Sequence, residues 1–252
     1  MDSVFQFLTK FWKSEKVLSS KEENLIREIE VLLGYKIQKH FYYIKALTHR
    51  SYLETLPPGS KSNERLEFLG DAVLDLIVAE YLFLNFEDED EGELTKIRSR
   101  LVDRVALSDA AELINLDRFL LIEESFHNNL EDGKKTVRAD ALEALIGAIY
   151  LDTNLKITTD FVIKNVIKPN FQKGYHQIDK NYKGQLLEFT HSQKMCTPVY
   201  KILQEEGPEH NKKFVVCVMV DGEELGIGEG KNKKSAEQNA ARSALQKLLT
   251  AD

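Results

Sequence analysis

Glu64, Glu67, Asp71 and Asp75 stand three, four and four residues apart in the stretch NERLEFLGDAVLDLIVAEYLF. At about 100° per residue they form one stripe down one face of a helix. Almost everything else in the stretch is apolar: Leu66, Phe68, Leu69, Ala72, Val73, Leu74, Leu76, Ile77 and Val78. Exposed like charges at this spacing cost only about 0.2–0.5 kcal/mol per pair. Burial raises that cost steeply, because each ion also loses its hydration. Three arrangements relieve it: the stripe faces solvent, it pairs with Arg and Lys, or it holds a hard cation.

A second set lies in VRADALEALIGAIYLD, where Asp140 and Glu143 are three apart. They share one face of a helix whose other positions include Ala141, Leu142, Leu145, Ile146 and Ile149. If the two faces meet, four or more carboxylates converge. Oxygen donors without a His or Cys at matching spacing suit Mg²⁺ or Mn²⁺ better than zinc. Such a centre performs phosphoryl chemistry, drawing a nucleophile from water and stabilising the leaving oxygen. The competing arrangement is ion pairing with Arg65, Arg138 and similar neighbours, with solvent on one side.

These residues need helices to carry them. The helical period dominates from about Ser20 to Ile167 and predicts helices near 20–33, 41–47, 63–85, 92–115, 138–150 and 155–167. Asn63 is suited to cap the third of them. Lys168–Asn181, with Pro169, two lysines and Gly174, reads as a linker. Beyond it the texture changes to helix, three strand-like runs with turn signals at Gly207-Pro208 and Asp221-Gly222, and an Ala- and Leu-rich final helix. That order describes a separate small α+β domain. The expected organisation is an N-terminal extension over 1–20, an all-α domain over 21–168, a linker over 169–180 and an αβββα domain over 181–252.

Composition limits the rest. The 252 residues are 42% hydrophobic and 30% charged, as in ordinary globular domains. No apolar run approaches the roughly 20 residues needed to span a bilayer, and the charge-broken start is no secretory signal. Phe5, Phe7, Leu8, Phe11 and Trp12 in that start read as an amphipathic turn or two docking on the protein body. Cys196 and Cys217 have neither metal-ligand spacing nor a nearby His pair, and read as free thiols of a cytosolic protein. The net charge is 34 − 41 = −7, which argues against nonspecific polyanion binding unless charge is unevenly placed.

NERLEFLGDAVLD and ADALEALIGAIYLD resemble the signature and second catalytic segments of the ribonuclease III family. ALTHRSY (46–52) and EGELTKIRSRLV (91–102) are similar to two further family segments in the same order. GPEHNKKFVV and GEGKNKKSAEQNAA resemble a double-stranded-RNA-binding domain. The resemblance spans roughly Glu22 to Leu249 and implies an all-α nuclease domain followed by the αβββα domain, acting as a homodimer. It implies catalytic, metal-holding roles for Glu67, Asp71, Asp140 and Glu143, with Glu64 and Glu91 at the site edge. Asp75 matches no catalytic position and implies a structural role. The implied activity is Mg²⁺-dependent hydrolysis of duplex RNA, with Mn²⁺ as substitute. Products carry 5′-phosphate and 3′-hydroxyl ends with a short 3′ overhang, and the substrates are structured precursors such as rRNA. The alternative on this scaffold is a noncatalytic duplex-RNA-binding protein, against which the four intact acids argue. A cytoplasmic protein with no membrane or DNA partner is implied.

For RNA contact the resemblance points to Lys231, Lys233 and Lys234 at the last helix, to His210 after the first strand, and to Glu188 and His191 on the first helix of the small domain. Helix N-terminal N–H groups and dipole would assist the lysines, and a minor-groove contact can read 2′-hydroxyls. Gly184 and Leu187 depart from the family pattern, which carries Thr and Gln there. From Asn181 onward ten Lys and Arg face ten Asp and Glu, so attraction would come from a lysine face. In the nuclease domain Lys96, Arg98, Arg100 and Arg104 either line the RNA path or pair with the acidic loop.

Overall fold

The structure, a computed structural model, describes residues 18–123, 131–177, 181–207 and 212–249. The chain divides into two compact units that part between Gln177 and Ile178. Residues 1–17, which hold most of the expected N-terminal extension, and His210 lie outside the described residues.

The first unit is helical. Helix α1 (Ser20–Leu33) starts at a capping box, in which Ser19 and Glu22 satisfy each other's backbone N–H, and ends on Gly34 at φ 77°. Helix α2 (His40–Ala46) and a 3₁₀ turn (Arg50–Thr55) lead to α3 (Glu64–Asn85). Then come α4 (Glu91–Leu101), α5 (Arg104–Leu113), a 3₁₀ turn (Leu116–Phe119), α6 (Glu131–Asp152) and α7 (Leu155–Val162). The 22-residue helices α3 and α6 form the centre. Leu66, Leu74, Ile77 and Leu82 of α3 pack with Leu142, Leu145, Ile146 and Ile149 of α6, all buried. Full burial of each such side chain contributes about 1.5–3 kcal/mol. Among the described residues no helix is long and apolar enough to cross a membrane.

Three expectations are corrected. Asn63 sits at the start of α3 but makes no side-chain cap. It is buried, and its N–H donates to the Thr48 carbonyl at 2.9 Å. The single helix expected over 92–115 is two, broken at Val102–Asp103, because the Asp103 carboxylate accepts from Ala106 N at 2.8 Å and starts a new helix. The linker reading of 169–180 fails over its first part. After α7 a π-helical turn (Ile163–Ile167) feeds α8 (Lys168–Gln172), with Pro169 in the first turn of α8, a position that tolerates proline.

The segment that follows α7 is also strapped down. Asn170 is fully buried and donates to the Leu101 carbonyl at 2.8 Å. Phe171 stacks on Phe86 with centroids 5.6 Å apart. Lys173 and Tyr175 both donate to Asp109 at 2.7 Å, and Arg100 donates to the His176 carbonyl at 2.7 Å.

The second unit contains α9 (Tyr182–Ser192), β1 (Val199–Glu206), β2 (Lys213–Val220), β3 (Glu223–Gly230) and α10 (Lys233–Leu249). The strands form one antiparallel sheet in the order β1-β2-β3, with an irregularity between Ile202 and Gln204. Asp221 and Gly222, at φ 52° and 83°, make the tight β2–β3 turn that Asp-Gly promises. Phe214, Val216 and Val218 pack on Leu186 of α9 and on Ala236, Ala240, Ala241 and Ala244 of α10. Both cysteines are free thiols.

Candidate metal centre and nucleic-acid surfaces

Two glycines decide how the carboxylates meet. A Cβ added at Gly70 would lie 1.7 Å from the Glu143 carbonyl oxygen, and one at Gly147 would lie 2.5 Å from that of Leu66. The backbones of α3 and α6 therefore touch at this crossing, closer than any side chain permits. Glu67 and Asp71 flank Gly70, while Asp140 and Glu143 precede Gly147 by about two turns and one turn. The crossing consequently stacks the two acidic faces. Ligand oxygens of Glu67, Asp140 and Glu143 lie within 4.8 Å of one another. Asp71 is outside this trio and exposed, yet its charge is felt at Glu143.

The electrostatics follow from this geometry. Burial first, then the charges of Asp71, Asp140 and Glu67, push the Glu143 carboxyl up to about 8. Burial also raises Glu67, reinforced by Asp140 and Glu64. Partial loss of hydration raises the Asp71 carboxyl although the residue is exposed, with Asp75 adding to it. Asp140 is raised by burial, against the opposing pull of Arg104 and Arg50. These are carboxyls that disfavour joint ionisation. The all-oxygen donor set and its close spacing fit a hard divalent cation, whose charge would remove that penalty.

Several basic neighbours are engaged with other acids. Arg138 turns to Asp117, donating to it at 2.7 and 2.9 Å, and lies 3.7 Å from Glu112. Asp75 is 4.0 Å from Arg98, a structural pairing. Lys96 and Arg100 pair with Glu93. Of Lys96, Arg98, Arg100 and Arg104, the last alone is felt by the acidic cluster.

The edge residues separate. Glu64 accepts from Ser62 Oγ at 2.9 Å and adds its charge to Glu67, so it borders the cluster. Glu91 opens α4, and its charge is not among those that shift the four carboxylates. Arg98 of α4 stands at Asp75, and Glu91 lies about two turns farther away, lining an apolar groove with Leu76 and Phe83.

In the second unit Glu188, His191, Lys231, Lys233 and Lys234 are all exposed. Lys233 reaches over the Phe214 ring, 5.8 Å from its centroid. One N–H of the α10 start is taken by Asn232, which accepts from Ser235 N at 2.8 Å. Leu187, beside Glu188 on α9, is 37% exposed. Gly184 lies under the Asn181 side chain, which accepts the Gly184 N–H at 3.2 Å.

The Gly70–Gly147 contact is not anticipated by the carboxylate spacing. Its signal is nevertheless in the sequence, since an isolated glycine inside a strongly helical pattern marks a close approach. Arg50 beside Asp140 has no such signal.

Comparison with known proteins agrees with this architecture. Residues 41–170 match the family described as Ribonuclease-III-like, and residues 182–248 match the double-stranded RNA binding motif. Ribonuclease 3 of Wolinella succinogenes is 42% identical over 226 residues, covering 88% of this chain and 91% of that protein. Ribonuclease 3 of Clostridium perfringens is 39% identical over 231 residues, covering 90% and 95%. A solved nuclease domain of ribonuclease III from Campylobacter jejuni, described for flexibility in a region involved in dimer formation, is 40% identical with a TM-score of 0.52, covering 57% of this chain and 96% of that one. Helical acid-bearing unit, αβββα unit and full-length relatives agree, and the chain belongs to the ribonuclease III family.

Proposed function

We propose that the protein is a divalent-metal-dependent endoribonuclease that hydrolyses phosphodiester bonds in double-stranded RNA. The observation that carries this reading is the convergence of Glu67, Asp140 and Glu143, with Asp71 beside them, where α3 crosses α6. In this reading those four hold Mg²⁺, for which Mn²⁺ substitutes. The ion, when bound, supplies positive charge for the transition state and a hydroxide from water at neutral pH. Glu143 keeps its proton near neutrality in the bare site and gives it up when the cation arrives. Glu67 and Asp140 hold the donor atoms in place from opposite helices. Products carry 5′-phosphate and 3′-hydroxyl ends, and the substrates are structured precursors such as rRNA in the cytoplasm.

The second unit grips the duplex. Lys231, Lys233 and Lys234 take phosphates, while Glu188 and His191 approach the minor groove. A homodimer completes the enzyme. Phe68, Leu76 and Phe83 are 80%, 55% and 71% exposed and share one face of α3. Such an apolar stripe belongs in an interface, and a symmetric pair would cover it twice. Glu91 would border the active site only as a contribution from the other subunit. A noncatalytic role is disfavoured because every acid of the cluster is present and they meet.

The test is incubation of the purified protein with long duplex RNA, with Mg²⁺ or with chelator. Metal-dependent shortening of duplex but not single-stranded RNA, with phosphate on the 5′ ends, supports the proposal. Tight duplex binding without cleavage in any divalent metal would establish the noncatalytic alternative.

A further inference from the structure

The first unit contains eight arginines. Six are engaged within the protein: Arg27 with Glu23, Arg98 with Asp75, Arg100 with Glu93 and His176, Arg118 with Glu28, Arg138 with Asp117, and Arg65 as well. Among the described residues of this unit, Arg50 and Arg104 are the arginines with no ion-pair, hydrogen-bond or ring partner, and both are exposed.

Both are fixed beside the acidic cluster by their backbones. Arg50 opens the 3₁₀ turn directly after buried His49. His49 N donates to the Leu121 carbonyl at 3.0 Å, and the Thr48 carbonyl accepts from Asn63 N at 2.9 Å. That pins Arg50 to the start of α3, where Glu64 and Glu67 lie in the first turn. Arg104 is the first residue of α5, held by the Asp103 cap, and α5 packs along α6 through Leu107, Ala110 and Ala111. The charges of both arginines oppose the upward shift of Asp140, and that of Arg104 opposes those of Glu67 and Glu143.

A cluster of carboxylates on a chain of net charge −7 repels a polyanion. Cations that are not consumed by the protein's own acids, placed at the rim of that cluster, reverse the repulsion where the substrate must descend. Guanidinium groups are suited to this, since their planar fork matches phosphate oxygens. Resting on the duplex-RNA reading above, we propose that Arg50 and Arg104 are substrate-binding residues that grip backbone phosphates of the duplex on either side of the scissile bond.

The experiment uses the full chain carrying E143Q in Mg²⁺, so that duplex RNA is bound without being cut. Binding is measured against salt for this parent and for R50Q, R104Q and the double variant, with R118Q as a control away from the site. Removing one lysine or arginine from a phosphate lowers the slope of log affinity against log salt by about one. The single variants should lose about one unit, the double variant about two, and R118Q none, with R50K and R104K restoring the slope. An unchanged slope in the double variant overturns the proposal. So does an unchanged slope accompanied by weaker Mg²⁺ binding or a lower melting temperature, which would make the arginines partners of the acids only. A parent that binds no duplex RNA at all overturns the function itself as well, and is recognised before any arginine is changed.

Discussion

Glu143 is the most strongly raised of the four carboxyls, and its protonation can be followed without RNA. Its ordinary carboxyl value is 4.5 and the fold raises it to about 8. Between those limits the folded, metal-free protein holds a proton that the unfolded chain has released. Stability from this group is therefore complete below pH 4.5, falls as pH rises through the window, and levels off above about 8. Glu67, Asp71 and Asp140 are raised too and act with the same sign. Thermal melts in chelator should show this decline, and E143Q should flatten it. Mg²⁺ affinity should run the other way, rising by up to about tenfold per pH unit toward pH 8 as the proton is displaced. Melts that are flat with pH in the wild-type protein would remove the basis for placing Glu143 in a crowded acidic site. The acids themselves were readable from spacing on helices. Arg50 and Arg104 were not, because whether an arginine is spent on a neighbour depends on tertiary contacts.

At the scale of elements, the site exists because α3 and α6 touch at Gly70 and Gly147. Gly70→Ala would place a methyl 1.7 Å from the Glu143 carbonyl oxygen, so the helices must part. Overpacking of this kind costs about 1–3 kcal/mol. The variant should melt several degrees lower and bind Mg²⁺ more weakly even below its melting temperature, as calorimetric titration would detect. Normal stability with normal metal affinity would mean the crossing is looser than described. Helical periodicity announced both helices, and the apolar run of β2 with the Asp221-Gly222 turn announced the sheet. Pro169 misled for a physical reason. Proline near a glycine and lysines is a strong linker signal, but here Pro169 falls in the first turn of α8, where proline is tolerated, and Asn170 and Phe171 are then buried or packed. The break at Asp103 was a capping signal inside a continuous periodic pattern, visible only once the helices on either side diverge.

For the whole molecule, the two units divide the labour. A chain ending after Gln177 retains the strap made by Asn170, Phe171, Tyr175 and His176, whereas one ending after Lys168 loses it. The longer form should fold and cut duplex RNA at low salt or with Mn²⁺. It should cut poorly at ~0.15 M salt, where the second unit's grip on phosphates matters most. The shorter form should be markedly less stable by melting. Equal stability of the two would show that the strap adds nothing to the fold. Phe68→Asp should break the exposed α3 stripe and give a monomer by light scattering, with loss of paired-strand cutting; an intact dimer would move the interface elsewhere.

The decisive measurement is a paired one on E143Q. Cleavage rate and duplex-RNA affinity are determined for this variant and for the wild-type protein in saturating Mg²⁺. If Glu143 holds the metal as proposed, cleavage should fall by orders of magnitude, while affinity for the duplex, which on this account rests on the second unit and the arginine rim, stays within a few-fold. Cleavage near the wild-type rate would contradict the assignment of the carboxylate cluster as the catalytic metal centre.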